Sequence, residues 1–174
     1  SQAEWFNRPM DIILQDLAAT LPDLRELVRV IVRLLAALAV GALVGYQRER
    51  MGKAAGLRTH MLVALGTALF VTSGLEYGMG EDAISRVIQG LTTGIGFLGA
   101  GAIMKIREEK VIRGLTTAAG VWMTAAASVT IGLGQIGVGL IAGLFTWIVL
   151  AILHRFEPRP MKSRREAGTT GEDA

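Results

Sequence analysis

Long apolar stretches alternate with short charged segments along the chain. The apolar stretches cover residues 34–46, 59–74, 85–104, 115–133 and 136–153. A helix needs about 20 apolar residues to cross the core of a bilayer, and most of these stretches approach that length. The pattern predicts an all-α fold, a polytopic membrane helix bundle of about five transmembrane helices. In a four-span alternative residues 134–153 lie differently, but the length of that segment and Trp147 favour a span.

The N-terminal part contains the signals of a helix start. Thr20, Pro22 and Asp23 supply a hydroxyl cap, an early proline and an acid three residues after the cap. Upstream, residues 10–17 are typical of a short amphipathic helix on the membrane surface or of a poorly ordered end. We divide the chain into an N-terminal amphipathic segment (1–27), a transmembrane bundle (28–153) and a disordered cytoplasmic tail (154–174).

The linkers differ in charge, which predicts an orientation in the membrane. Three linkers are basic, whereas the two between them are acidic (76–82) or uncharged (132–135). Because cytoplasmic loops are rich in Lys and Arg, we expect the N-terminus outside and the C-terminus in the cytoplasm. Arg25, Arg29 and Arg33 lie on the opposite side and weaken this assignment. The basic linkers contain Arg48, Arg50, Lys53 and Arg58; Lys105, Arg107, Lys110 and Arg113; and Arg155, Arg159, Lys162, Arg164 and Arg165.

Composition narrows the classes of function. Apolar residues make up 51% of the chain and charged residues 19%, against about a quarter charged in soluble domains. The net charge of +3 follows from the basic linkers, and without a nucleic-acid motif it predicts no nucleic-acid binding. The absence of cysteine excludes disulfides and thiolate chemistry. No triad spacing or P-loop is present, so the sequence predicts a protein that is not an enzyme.

A stripe of polar residues enters the third span. Asp82, Arg86, Gln89 and Thr93 share one helix face by their spacing, and ionisable groups in a membrane are costly and usually functional. In a structural interpretation, Asp82 caps the helix and pairs with Arg86. In a functional one, the stripe forms a polar pocket for a cation or proton, with Asp82 as the candidate metal ligand. A single carboxylate is a poor magnesium site, and other acids of segment 76–82 would have to help.

Two similar motifs suggest an internal repeat and an anion site. Residues 56–59 (Gly-Leu-Arg-Thr) open the second span and residues 114–117 (Gly-Leu-Thr-Thr) open the fourth. They reflect either a duplicated hairpin or a chance match in a glycine-rich chain. Helix N-termini favour anions such as a lipid phosphate, a nucleotide or an acidic partner segment; alternatively, the threonines only cap helices and the bases only set topology. The candidate binding residues are Arg48, Glu49, Arg50, Lys53, Arg58, Thr59, His60, Arg113, Thr116 and Thr117.

The spans are dense in glycine. Gly41 with Gly45, and Gly139 with Gly143, form pairs four residues apart, and the third span holds five more. Small residues let helix backbones approach closely in lipid. The alternative for residues 96–101 is a broken helix that exposes carbonyl groups to ions. The glycines of the third span are Gly90, Gly94, Gly96, Gly99 and Gly101.

Three segments together resemble the MgtC/SapB family of bacterial inner-membrane proteins. They are residues 48–60 (Arg-Glu-Arg-Met-Gly-Lys-Ala-Ala-Gly-Leu-Arg-Thr-His), 96–101 (Gly-Phe-Leu-Gly-Ala-Gly) and 113–119 (Arg-Gly-Leu-Thr-Thr-Ala-Ala). The resemblance implies a place in the inner membrane and a link to magnesium limitation, acid stress and survival of pathogens in host cells. This chain departs from the family at Gln47, where we expect an acid. We expect none of the effects of the soluble C-terminal domain that some relatives carry.

The resemblance implies regulation of other membrane machinery, including ATP synthase, more than transport. We therefore expect a non-enzymatic protein linked to magnesium or ion homeostasis and stress adaptation. It would act through contact with membrane lipids and protein partners, or by forming a homo-oligomer through its glycine faces. No cofactor is expected, although magnesium is a candidate ligand. The alternative is a transporter or channel for magnesium or protons, using the Asp82 stripe at one end and Thr59 and Thr117 at the other.

Overall fold

The computed structural model describes Ile12, residues 23–106 and residues 111–154. Over this part of the chain, five long helices and one short hairpin follow one another. The elements are α1 (Leu24–Arg50), α2 (Leu57–Glu76), α3 (Glu81–Ala102), β1 (Met104–Ile106), β2 (Val111–Arg113), α4 (Leu115–Gly132) and α5 (Ile136–His154). The predicted all-α bundle of five helices is confirmed, and the antiparallel hairpin β1–β2 is an addition that the hydrophobic pattern did not indicate.

Two of the described helices, α1 and α4, are long and apolar enough to cross a membrane by length and composition. In α5 the apolar segment Ile136–Ile152 is slightly shorter. Helices α2 and α3 have 20 and 22 residues, which matches the thickness of a bilayer core. Their lower hydropathy reflects polar residues such as His60, Asp82 and Arg86.

The ends of the helices correct two predictions. Asp23 is the N-cap of α1, because its side chain accepts a 2.8 Å hydrogen bond from the Leu24 N–H. Thr20, the predicted cap, lies outside the described residues, as do most of the predicted amphipathic segment and the tail after His154. Helix α3 runs unbroken to Ala102. The alternative of a broken helix at residues 96–101 is therefore wrong.

Small residues hold α1 and α2 together. A Cβ atom on Gly41 would lie 2.7 Å from the backbone oxygen of His60 and 2.8 Å from the Cα of Met61. A Cβ on Gly45 would lie 2.8 Å from the Cα of Leu57. Such distances are too short for any real side chain, so the two backbones approach each other as closely as glycine allows. This contact leads into the main core cluster, which consists of Ala37, Val40, Ala64, Ala68, Ala127 and Ile131.

Glycines also join α5 to the bundle. A Cβ on Gly139 would meet Ile131 and the backbone oxygen of Ala127 in α4, and one on Gly143 would lie 2.8 Å from Val40 in α1. Both predicted glycine pairs therefore make close helix contacts. In α3 the result differs, since among its glycines only Gly99 has a neighbour within contact distance, Ala118 of α4, at 3.5 Å.

The basic residues on the unexpected side have an acidic partner. We call this the acidic end of the bundle, where α2 and α4 end and α3 and α5 begin. Arg29 and Arg33 lie 3.8 Å and 4.0 Å from the carboxylate of Glu76. Arg33 also donates a 3.1 Å hydrogen bond to the backbone oxygen of Gly132, at the C-terminus of α4. A cation there stabilises the negative end of the helix dipole, so packing within the chain explains these arginines.

We expect an Arg33→Gln variant to lose stability. The change removes the ion pair with Glu76 and weakens a charged hydrogen bond to a helix C-terminus, which together amount to about 1–2 kcal/mol in the free energy of unfolding. Unfolding titrations in detergent micelles would measure it. Arg25→Gln, at an exposed position of the same helix, serves as the control, and equal losses in both variants would contradict this role of Arg33.

Candidate functional site

A buried polar cluster lies at the opposite end of the bundle, which we call the basic end. Here α1, α3 and α5 end, and α2 and α4 begin. Its central residue is Arg48, near the end of α1, whose side chain is only 2% exposed. The Nη2 atom of Arg48 donates a 2.7 Å hydrogen bond to the hydroxyl oxygen of Thr117 in the first turn of α4. Burying a charge costs several kcal/mol unless the charge is well paired. The bond to Thr117 gives the buried guanidinium a partner and joins α1 to α4.

His60 forms the second half of the cluster and is completely buried. Its Nδ1 lies 2.8 Å from the hydroxyl oxygen of Thr124, and that hydroxyl donates a 3.0 Å bond to the backbone oxygen of Gly120. The other ring nitrogen of His60, Nε2, has no hydrogen-bond partner among the described residues. A Cβ atom on Gly120 would lie 3.7 Å from Cε1 of His60, an ordinary van der Waals distance, so α4 packs directly against the imidazole at this position.

Gln47 completes what we name the basic-end cluster, defined by Gln47, Arg48, His60, Thr117 and Thr124. Gln47 is 8% exposed, and its Oε1 atom accepts no hydrogen bond from the described residues. The cluster thus combines one buried cation with two buried polar atoms, Gln47 Oε1 and His60 Nε2, that no described residue pairs. Sequence analysis noted Gln47 only as a departure and missed Thr124. The sequence held no local signal for Thr124, because its partner His60 lies 64 residues away along the chain.

The remaining candidate residues of the basic end lie around this cluster. Glu49 Oε2 accepts a 2.7 Å hydrogen bond from the Leu57 N–H, and so caps the start of α2. Arg50 lies over the ring of Tyr46, 5.2 Å from its centre. Lys53 is half-buried, and the exposed residues are Arg58, Thr59, Arg113 and Thr116.

This geometry limits the predicted anion site. At α2 a carboxylate of the chain itself already takes a free N–H of the first turn, which is the group an anion would bind. At α4 the Thr117 hydroxyl already accepts from Arg48. The two motifs also differ in environment, since Thr59 is exposed and Thr117 is buried. The internal repeat stays a prediction.

The polar stripe of the third span lies on the surface of the bundle. Asp82, Arg86, Gln89 and Thr93 are all exposed. The buried residues of α3, on the opposite side, are Ile84, Ile95 and Gly99. The predicted cap is wrong, because the N-cap of α3 is Gly80 and no side chain caps it. Within the described part of the chain, no ion pair joins Asp82 to Arg86.

The acids of segment 76–82 do not converge on a metal site. Glu76 faces Arg29 and Arg33, whereas Asp82 is exposed on α3. Among the residues that the structure describes, no group of three or more His, Asp or Glu side chains could hold a metal ion. Magnesium needs several oxygen ligands in octahedral geometry, so Asp82 as a metal ligand stays a prediction without supporting neighbours.

A cavity of about 170 Å³ lies between α2, α3 and α4. Its described lining is apolar, with Ile88, Ile95 and Trp122 as the large side chains and two threonines, Thr67 and Thr92. None of these side chains is charged. The cavity therefore offers neither a carboxylate nor a histidine to an ion.

Comparison with known proteins places this architecture in a family. The family profile described as MgtC family matches residues 34–159. SrpB of Synechococcus elongatus is 44% identical over 137 residues, which are 72% of this chain and 75% of SrpB. YhiD of Escherichia coli K12, named a proposed magnesium transporter, is 41% identical over 140 residues, or 75% of this chain and 63% of YhiD.

The protein MgtC of Salmonella typhimurium is 47% identical over 105 residues, which are 60% of this chain but 44% of MgtC. This chain thus spans less than two thirds of YhiD and less than half of MgtC. No solved structure matches it. The profile covers all five helices from the apolar part of α1 onwards, and it includes both the basic-end cluster and the stripe on α3. The chain belongs to the MgtC family.

Proposed function

We propose that this protein is a non-enzymatic component of the bacterial inner membrane that serves magnesium or ion homeostasis by contact with other membrane proteins. The observation that carries the proposal is the direction of the polar stripe on α3. Asp82, Arg86, Gln89 and Thr93 face away from the bundle. Polar groups that face outward from a membrane helix are stabilised by a partner helix or the headgroup region.

The polar groups inside the bundle support contact more than cation transport. Among the described residues, the buried polar side chains include one formal charge, that of Arg48, and no carboxylate. A magnesium pathway needs carboxylate or carbonyl oxygens that replace bound water, and a buried cation repels such an ion. The buried polar side chains are Gln47, Arg48, His60, Thr67, Thr72, Thr117, Thr124, Ser128 and Thr146.

The basic end supports an orientation with the C-terminus of α5 in the cytoplasm. Arg50, Arg58 and Arg113 are exposed there, and exposed basic groups at a helix end favour the cytoplasmic leaflet with its anionic lipids. In this orientation the stripe on α3 lies towards the outer side. The partner is a membrane protein, and ATP synthase is one candidate. The basic end would meet lipid headgroups.

A transporter of magnesium or protons is the second candidate. It is favoured by the name given to YhiD, a relative 41% identical to this chain. Its pathway would use Asp82, Arg86 and Gln89 at one end and the helix starts at Thr59 and Thr117 at the other.

Flux into liposomes distinguishes the two functions. We expect no movement of magnesium or protons into vesicles that contain the protein, under gradients of either ion, because the described buried side chains include the cation of Arg48 and no carboxylate. Asp82→Ala should behave like the unaltered protein. Flux that the intact protein supports and Asp82→Ala abolishes would contradict the contact function and establish transport. An ionophore added at the end of each run verifies that the vesicles are sealed.

Cross-linking in native membranes followed by mass spectrometry tests the contact itself. We expect adducts between this protein and a membrane protein, reduced when Arg86 on the stripe is replaced by leucine. Phe145→Leu on the exposed side of α5 is the matched control. If no adduct with a membrane protein is recovered, the proposed contact function is contradicted.

A further inference from the structure

The outward side of α3 carries polar residues and glycines that no contact within the described bundle explains. Helix α3 packs on α4 and, more lightly, on α2, while its outward half carries the polar stripe and, about a quarter turn round the helix, several glycines. A Cβ atom on Gly90, Gly94 or Gly101 would meet no atom within 4 Å. Glycine in the interior of a helix costs about 1 kcal/mol relative to alanine, and nothing within the described chain requires it at these positions.

The same kind of glycine has a clear purpose elsewhere in the molecule. Gly41 and Gly45 in α1 lie directly against the backbone of α2. Gly90 and Gly94 have the same spacing of four residues on α3, but their neighbouring backbone is missing from the described chain. Phe97, one turn beyond, is 81% exposed. Surfaces of this composition in a membrane fit the close approach of another helix.

The charges on this side indicate which helix it is. Asp82 and Arg86 have opposite signs and lie one turn apart on the same face. Two copies with the same membrane orientation, related by a two-fold axis along the membrane normal, present parallel α3 helices to each other. In that arrangement Asp82 of each copy lies near Arg86 of the other, and the interface contains this pair twice. A self-complementary pattern of this kind matches a second copy of the same chain.

We infer that α3 forms a two-fold interface with α3 of a second copy, in which the polar stripe lies at the contact with Gly90 at its edge, and Asp82 pairs with Arg86 across the interface. The pairing gives each exposed ion a partner, which explains why charged residues are accommodated on an outward face. Thr93 belongs to the same stripe, so the Thr93 side chains of the two copies also lie close together. This inference rests on the proposed function, because it names the first partner that the stripe contacts.

The chain has no cysteine, so single-cysteine variants need no altered background. Oxidation in native membranes should convert Gln89→Cys and Thr93→Cys into disulfide-linked dimers of twice the chain mass. Phe145→Cys, exposed on α5, should stay monomeric. Absence of a dimer in both α3 variants overturns the interface, and so does an adduct of another mass, which would identify a different partner protein on this face.

A charge swap between copies tests the pairing. In the Thr93→Cys background, Asp82→Arg alone or Arg86→Asp alone gives each dimer two like-charged contacts, and we expect the disulfide yield to fall about tenfold. When the two variants carry different tags and are produced together, the mixed dimer again sets arginine against aspartate at both contacts. Its yield should recover, although each chain alone still carries like charges one turn apart. Equal yields in the three cases overturn the pairing.

The tests of this inference and of the proposed function fail separately. Ion flux through the unaltered protein overturns the contact function without touching the dimer. Loss of the cross-link without flux overturns the dimer and leaves contact with other membrane proteins in place.

Discussion

Replacing Gly41 by alanine is expected to destabilise the bundle by about 2 kcal/mol, within the usual range for overpacking. The added methyl group would lie 2.7 Å from the backbone oxygen of His60 and 2.8 Å from the Cα of Met61. Neither group is the end of a flexible side chain, so relief requires that α1 and α2 move apart. That movement would also loosen the core next to Ala64. Unfolding titrations in micelles, followed by circular dichroism, would measure the loss.

Gly66→Ala provides the matched control within the same helix pair. Gly66 lies inside α2, and a Cβ there has no neighbour within 4 Å. Because alanine is the better helix former by about 1 kcal/mol, this variant should be as stable as the unaltered protein or slightly more so. If both variants lost the same stability, close packing of α1 on α2 would not be the reason for Gly41.

The sequence predicted the helices well because their signals are local. The apolar stretches predicted four of the five spans to within a few residues. The charged residues at the ends of these stretches marked the linkers between the helices. Glycine spacing correctly indicated close contact at Gly41, Gly45, Gly139 and Gly143. The hairpin β1–β2 escaped notice, since three-residue strands are too short to produce a recognisable alternation.

The direction in which a residue faces was much harder to predict. In a soluble protein the hydrophobic side of a helix marks the interior, but in a membrane both sides of α3 are compatible with their surroundings. The spacing of Asp82, Arg86 and Thr93 correctly placed them on one face, yet it contained no information on whether that face points inward. Packing by Ile84 and Ile95 decides this, and such packing depends on distant segments.

Long-range polar pairs were equally invisible in the sequence. Arg29 and Arg33 violated the expected charge distribution until the structure brought Glu76 next to them. Arg48 was assigned to a basic linker, whereas the structure places it in α1 and buries it beneath the start of α4. Residues 48 and 117 are separated by most of the bundle in sequence, and no local rule connects them.

We expect a second large loss of stability when the buried hydrogen bond between Arg48 and Thr117 is removed. Thr117→Val keeps the shape of the side chain but removes the acceptor for Arg48 Nη2, which lies 2.7 Å from the hydroxyl oxygen. Removing one partner of a buried hydrogen bond to a charged group costs about 1.5–3 kcal/mol, and we expect a decrease of that size in the free energy of unfolding. Thr116→Val, at the exposed neighbouring position, should change it little.

A double-mutant cycle separates this bond from other effects of the substitution. Arg48→Met keeps an unbranched side chain but removes the guanidinium group and its charge, and combined with Thr117→Val it leaves neither partner of the bond. If the bond joins α1 to α4 as the geometry indicates, the double variant should lose less stability than the sum of the two single losses. We expect the difference to be about 1 kcal/mol or more. Strict additivity would mean that Arg48 and Thr117 stabilise the protein independently. In that case the buried charge would depend on its other contacts, and the basic-end cluster would not act as one unit.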